Sequence, residues 1–372
     1  MEKRLHIVAF DVPYPANYGG AIDLFYKLKA LSELGLKITL HCFEYGRGEA
    51  KELNKYCHKV YYYKRQSSRQ NLFSFSPFIV VSRSSPNLLE NLCKDKAPIL
   101  FEGLHCCFFL NHERLKGRRR IVRTHNVEHD YYRHLAASES SIFKRFYFEL
   151  EANKLKTYEQ ELAGANALVS ISPADTEHFT AINSNTFHIT AFHTNSEILI
   201  KPEKGSFCLY HGSLGIGENN KAALWLVDEV LNDLDIPVVI AGNNPSMELR
   251  NKVAKHPHII LKSEINTEEI HTLIQAAQVN ILPTFQATGI KLKLLAALFN
   301  GKHCVVNLPM VENTGLESLC SIAKDATQMK SLILEKYRTD FDLAELERRK
   351  VILGKGFSNN ENAKKLIQIL FP

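Results

Sequence analysis

Residues 5–43 read LHIVAFDVPYPANYGGAIDLFYKLKALSELGLKITLHCF, and this stretch decides the fold. Leu5–Phe10 and Ile38–Phe43 are short apolar runs, the pattern of strands covered on both faces. Between them, Ile22–Leu34 places apolar residues at 24, 25, 28, 31 and 34, which line one face of a helix. Strand, helix, strand in that rhythm predicts parallel strands joined by a crossover helix.

The rhythm continues outward. Lys59–Tyr63, Ile99–Glu102, Ile121–Thr124 and Ala167–Ile171 read as further strands. A weakly patterned stretch, 192–205, carries Pro202 and several polar residues and reads as a linker. Beyond it come strands at Phe207–His211, Val238–Ala241, His258–Leu261, Val279–Leu282 and His303–Val306. Helices are expected at Asn220–Leu231, Ser246–Ala254, Thr267–Ala277 and Leu292–Phe299. The expectation is an α/β protein of two Rossmann-like doubly wound domains, with ligands in a cleft at the strand C-terminal edges. Two unrelated α/β domains would show the same order of elements.

Composition narrows the class. A chain of 372 residues with 45% apolar and 23% charged residues suits two globular domains. Its 46 basic and 40 acidic residues leave a net charge of +6, which favours anionic ligands without calling for nucleic acid. The eight cysteines include no C-x-x-C pair and read as buried thiols. The histidines lack the spacing of metal ligands, so no metal is expected. The first apolar run, Leu5–Phe10, is too short for a signal peptide, and no segment reaches membrane-spanning length, so a cytoplasmic location is expected.

Four strand-to-helix junctions are candidates for chemistry. Pro13–Gly20 ends in paired glycines before a helix, where backbone N–H groups can approach an anion or an oxygen-rich group. Arg123–His129 puts His125 at a strand C-terminus, where a histidine facing a cleft can hydrogen-bond a substrate hydroxyl or carbonyl. His211–Asn220 carries three glycines at a helix start and suits a diphosphate, although it is no P-loop. Pro283–Ala297 opens a helix with Lys291 and Lys293, cations that the helix dipole disfavours unless an anion sits there too. The plain alternatives are a structural turn, a satisfied histidine and a solvated lysine.

Two surface features stand apart. Arg114, Lys116, Arg118, Arg119, Arg120 and Arg123 form a basic run with no acidic residue, read as a solvated face or an anionic-lipid contact. The helical pattern Ile142–Ala163 mixes aromatic side chains with lysines. Its apolar residues are expected to pack on the first domain, or else to lie in a headgroup interface.

Taken in order, these motifs resemble glycosyltransferase family 4, whose members have the GT-B fold. The resemblance rests on Pro13-Tyr14-Pro15 to Gly19-Gly20, His125-Asn126-Val127-Glu128, Tyr158-Glu159, Ser170-Ile171-Ser172, Gly212-Ser213-Leu214 with Asn219 and Trp225, Ile240-Ala241-Gly242, Gly289 to Lys293, Gly301-Lys302 and Phe357-Ser358. It implies an acceptor-side domain over 1–195, a nucleotide-sugar domain over 196–355, and a terminal helix, 356–372, returning to the first domain. It further implies a retaining transfer of a hexose-type sugar to a glycan or lipid-linked acceptor, without metal or other cofactor. Peripheral contact with an anionic membrane stays open, and nucleic acid is not a partner.

The implied catalytic residues are His125 and Lys293. The implied substrate contacts are Gly19, Gly20, Glu102, Asn126, Gly212, Ser213, Asn219, Gly242, Glu264, Ile265, Thr288, Gly289 and Ile290. Lys293 lies three residues before position 296, the family's ribose-facing site, and so shares its face, whereas Lys291 does not. One departure stands out. The family's paired glutamates, eight apart on the donor helix, are here Thr288 and Ala296. An inactive sugar-nucleotide or glycan-binding protein is therefore an alternative, and a nucleotide-sugar epimerase is a second one that shares the fold.

Overall fold

In the computed structural model, which describes residues 2–68, 71, 74–139, 141–201, 203–285 and 291–372, the apolar runs form two parallel sheets. The first contains β1 (Arg4–Ala9), β2 (Lys37–Glu44), β3 (Lys59–Lys64), β4 (Ile99–Glu102), β5 (Arg120–Thr124), β6 (Ala167–Ser170) and β7 (Thr186–His188). Its spatial order is β3-β2-β1-β4-β5-β6-β7. The second contains β8 (Cys208–His211), β9 (Val238–Ala241), β10 (Ile259–Lys262), β11 (Val279–Leu282), β12 (His303–Asn307) and β13 (Ser321–Ala323), in the order β10-β9-β8-β11-β12-β13. The second sheet thus repeats the order of β1 to β6, and each sheet has a switch point: between β1 and β4, and between β8 and β11.

Central strands are buried along almost their whole length, β1 from Leu5 to Ala9 and β8 throughout, which is why they read as near-continuous apolar runs. The chain divides into two compact units, Met1–His193 with Phe357–Pro372, and Thr194–Gly356. The last helix, Asn359–Leu370, is capped by the Ser358 side chain. Its Ala363, Leu366 and Leu370 enter the same core cluster as Leu24, Leu28 and Leu31 of the Gly19–Glu33 helix. Asn362 seals that junction with a hydrogen bond to Thr190 Oγ1 at 2.8 Å.

Three expectations change. The basic run is a solvated face only at Arg114 and Lys116, which are exposed. Arg118 is buried on the Leu92 and Ala97 carbonyls, Arg119 donates to Ile369 O, Arg120 donates to Leu110 O, and Arg123 is fully buried. Guanidinium groups are here satisfying carbonyls at element ends, a use that composition does not reveal. Second, the Ile142–Tyr158 helix turns Ile142, Phe143, Phe146 and Leu150 outward, with exposures of 81%, 89%, 71% and 44%. Third, the histidines do gather. His129 Nδ1 and His178 Nε2 lie 2.8 and 2.6 Å from the two oxygens of Glu159.

Candidate functional site

The Gly19–Glu33 helix starts at the β1/β4 switch point. Its N-cap residue, Tyr18, has extended backbone and no side chain caps the helix. A Cβ at Gly20 would come within 2.6 Å of the Phe10 ring, which would have to shift to admit it; at Gly19 nothing lies close. The loop before the helix is pinned by Asp11, which accepts from the Val12 N–H and the Tyr18 hydroxyl, both at 2.8 Å. Arg47 ties the same loop through the Pro15 carbonyl, the Asn17 side chain and Asp11.

Beneath that helix start lies a buried ionic network. Lys27 Nζ donates to Asp23 at 2.9 Å and to Glu102 at 2.7 Å, and Arg123 Nη2 lies 3.0 Å from Asp23. Two carboxylates and two cations are thus removed from water together and balance one another. Burial alone would raise both carboxyls. Arg123 and Lys27 hold Asp23 well below the usual range, and Lys27 with His125 holds Glu102 below it.

His125 sits on this network, its Nε2 3.0 Å from Glu102 and its Nδ1 4.0 Å from Asp23. The Phe10 ring meets it edge-on at 5.5 Å. The imidazole is therefore fixed in orientation while keeping 11% of its surface open. Glu102, His125 and the paired glycines come together at one sheet edge, but Asn126 turns to Glu128. Asp23, Lys27 and Arg123 complete the arrangement and were not among the residues expected at the site.

Among the described residues, two groups are close enough to share a metal ion: Asp23, Glu102 and His125, and His129, Glu159 and His178. In the first, Lys27 and Arg123 already neutralise the carboxylates, which opposes a cation. In the second, each Glu159 oxygen faces one imidazole, and Asp130 approaches the other nitrogen of His129 at 3.4 Å. That second set has suitable donors for a divalent ion.

In the second unit, three loops meet at the C-terminal edge of β8, β9 and β10. Gly242 must be glycine, since a Cβ there would collide with the Gly212 carbonyl. Asn243 exchanges two hydrogen bonds with the Ile265 backbone, at 2.8 and 2.9 Å, and its own carbonyl receives the Gly215 N–H at 3.0 Å. Gly212, Gly242 and Ile265 are thereby held together, with Glu264 beside them in a positive-φ conformation (φ 59). Ser213 O accepts from the Asn219 side chain at 3.1 Å. The Gly217–Trp225 helix starts here without a side-chain cap, so its end is suited to an anion.

Lys293, in the first turn of the Leu292–Asn300 helix, donates to Asn219 Oδ1 at 3.0 Å and lies 5.5 Å from the Tyr210 ring centre. Burial pushes its ammonium down to about 8, against the pull of Glu218. His211, at the end of β8, is buried, and its Nε2 has no hydrogen-bond partner among the described residues. Lys291 is the N-cap residue, outside the helix proper, so helical spacing does not fix where it points. Burial lowers its pKa as well. Ala296 packs beside the cluster of Leu209, Val239 and Ile274. Thr288, Gly289 and Ile290 lie outside the described residues.

No family model matches the chain. It is 27% identical over 334 residues, 84% of each chain, to an uncharacterized 44.6 kDa protein in the cps region of Klebsiella pneumoniae. Among solved structures, TarM matches with a TM-score of 0.68 at 11% identity, covering 100% of this chain and 99% of TarM. The trehalose-6-phosphate synthase OtsA matches at 0.66 and 11% identity, with 99% of both chains covered. An E. coli trehalose-6-phosphate structure bound with UDP-2-fluoro glucose matches at 0.63 and 12%, again over 99% of both. The fold is that of the GT-B class, built from two Rossmann-like units.

Proposed function

We propose that the chain is a glycosyltransferase that moves a hexose-type sugar, with retention, from a nucleotide-sugar donor to a hydroxyl of a glycan or lipid-linked acceptor. The observation that carries this reading is Lys293, a partly buried cation held by Asn219 beside an uncapped helix start and a gathered glycine edge. A diphosphate there would gain both backbone N–H groups and a charge whose burial Glu218 offsets only in part. The leaving diphosphate grows more negative as the sugar bond breaks, so a fixed cation favours the transition state over the bound donor. No metal is called for in this scheme. OtsA and TarM share the fold, and one such structure holds UDP-2-fluoro glucose, which supports a nucleotide-sugar donor.

In the same reading His125, steadied by Glu102, contacts the sugar or the acceptor hydroxyl, and Gly20 lies near the donor phosphate. The test is product analysis with a panel of nucleotide sugars, with and without acceptor. Sugar transfer or donor hydrolysis supports the reading. Donor binding without turnover would favour a sugar-nucleotide binding protein, an outcome motivated by Ala296, which offers no carboxylate at the position where the resemblance implies a ribose contact. A rearranged sugar released without acceptor would indicate an epimerase.

We further propose a peripheral membrane contact through Ile142, Phe143, Phe146 and Leu150, the outward stripe flanked by Lys144 and Arg145. Among the described residues, no helix is long and apolar enough to cross a membrane. An amphipathic contact would instead bring the chain to a lipid-linked acceptor held at the surface.

A further inference from the structure

A cavity of about 880 Å³ opens in the first unit beside Phe10, the ring that also meets His125. This is ample for a short saccharide. Aromatic side chains dominate its walls, among them Tyr45, Tyr131 and Tyr147, which carry ring faces and hydroxyls of the kind that hold sugar rings. Its charge is less ordinary. Arg47, Arg65 and Arg83 all line it, against one carboxylate, Asp11.

That carboxylate is already engaged. Asp11 commits its oxygens to the Val12 N–H, the Tyr18 hydroxyl and Arg47. Arg83 is 4% exposed, and its Nε and Nη1 donate to the Phe10 and Ile79 carbonyls at 3.0 and 2.6 Å. Arg65 donates to Ser82 Oγ at 2.7 Å and lies over the Tyr45 and Phe78 rings at 4.5 and 5.3 Å. Among the described residues, neither Arg65 nor Arg83 forms an ion pair with a carboxylate.

Nearby acids do not make up the difference. Glu151 accepts from the Phe78 N–H at 2.6 Å and from Lys154 at 2.9 Å. Burial raises the Glu128 carboxyl to about 8, leaving it mostly neutral near pH 7. Burial and the neighbouring Arg65 together push Arg83 down to about 10. Two guanidinium groups thus repel each other in a partly dry, ring-lined cavity. Carbonyls, ring faces and the nearby Asp11 offset part of that cost, but among the described residues no carboxylate pairs directly with either guanidinium.

We propose that this cavity is the acceptor subsite and that its ligand is an anionic saccharide, with Arg65 and Arg83 receiving a carboxylate or phosphate and the aromatic walls receiving the ring. The assignment rests on the glycosyltransferase reading only for the word acceptor; the binding chemistry stands on the cavity itself. Arginine forks match planar carboxylates and phosphates, and charge-assisted hydrogen bonds of this kind are the strong ones. Uncharged sugars would leave the two cations as they are.

The test is calorimetric or NMR titration of the full chain, free of nucleotide sugar, with four probes: glucuronate, glucose 1-phosphate, glucose and inorganic phosphate. Glucuronate or glucose 1-phosphate should bind about tenfold or more tightly than glucose. Which of the two binds better tells whether the charge sits on a sugar carboxylate or on phosphate. Arg65→Gln should abolish the preference for the charged sugars. Arg83→Gln should do so too, but Arg83 also holds two carbonyls, so Arg65→Gln, at a half-buried position, decides the matter if the other variant fails to fold.

Equal binding of charged and neutral sugars, retention of the preference in Arg65→Gln, or binding by none of the probes would overturn the proposal. Inorganic phosphate binding as tightly as the charged sugars would overturn its saccharide part. Nucleotide-sugar binding is measured separately on the same protein. Its absence would sink the transferase reading and leave the probe result standing.

Discussion

Replacing Lys293 with methionine should stabilise the unliganded protein while weakening its hold on a nucleoside diphosphate. Burial takes the ammonium from its ordinary 10.5 to about 8, which corresponds to about 3 kcal/mol against the charged form near neutral pH. The hydrogen bond to Asn219 and the contact with the Tyr210 ring return about 1 kcal/mol of this. Methionine keeps most of the aliphatic stem. The net gain is therefore about 2 kcal/mol, or a rise in Tm of about 5 °C for a domain of this size.

The pH dependence has a defined sign. Between about 8 and 10.5 the unfolded chain keeps the lysine proton that the folded chain has lost, so wild-type stability should rise across that window. Lys293→Met should lack that component of the rise. Binding of UDP or GDP, by contrast, should fall about ten- to a hundredfold in the variant. The assay is urea unfolding across pH, paired with titration of the diphosphates. A methionine variant less stable than wild type at pH 7, or one that binds diphosphates unchanged, would contradict this account of Lys293.

Other expectations are more compact. Lys293→Ala should slow transfer on the order of a hundredfold and Lys291→Ala much less, measured as kcat/KM on the same donor; equal effects would mean that only the general field matters. Donor affinity in the wild type should decline as pH rises through about 8, where Lys293 loses its charge, and a flat profile would remove Lys293 from the site. Glu102→Gln should cost about 3–5 kcal/mol in chemical denaturation, since it leaves the buried Lys27 short of a counter-charge. Phe143→Ser combined with Phe146→Ser should abolish co-sedimentation with anionic liposomes and leave unfolding midpoints within error. Failure of the wild type to co-sediment at low salt would end the membrane proposal.

The central strands were legible because burial on both faces leaves a simple mark, an apolar run such as Val238–Ala241, or one interrupted by a single buried polar residue, as His6 in Leu5–Phe10 and Asn280 in Val279–Leu282. Two of the edge strands escape that logic, whereas the edge strands β3 and β10 were read. β7, Thr186–His188, and β13, Ser321–Ala323, are three residues long and partly exposed, so neither carries a continuous run. The Ile142 helix was legible as a helix but not in its facing, since its aromatic residues gave no sign of pointing outward. His125 and Lys293 were legible as site candidates because each follows a strand end in a glycine or polar loop.

Their supporting residues were less visible. Asp23 and Lys27 look like an ordinary surface pair four apart on a helix. Only partners far along the chain, Glu102 and Arg123, make it possible to bury them. The one local signal was their position beside Leu24 and Leu28, on the apolar side of that helix. Arg65 and Arg83 gave no signal, because a single arginine in a polar stretch is ordinary and only folding brings the two to one cavity.

The helix at Asn359–Leu370 completes a core begun by residues more than three hundred positions earlier. During synthesis, therefore, the first sheet can be drawn up long before its covering helix leaves the ribosome, and Leu28 and Leu31 must wait without that cover. The second unit, by contrast, is built from one continuous stretch, Thr194 to Gly356. A truncation at the very end of the chain would then injure the half that was started first.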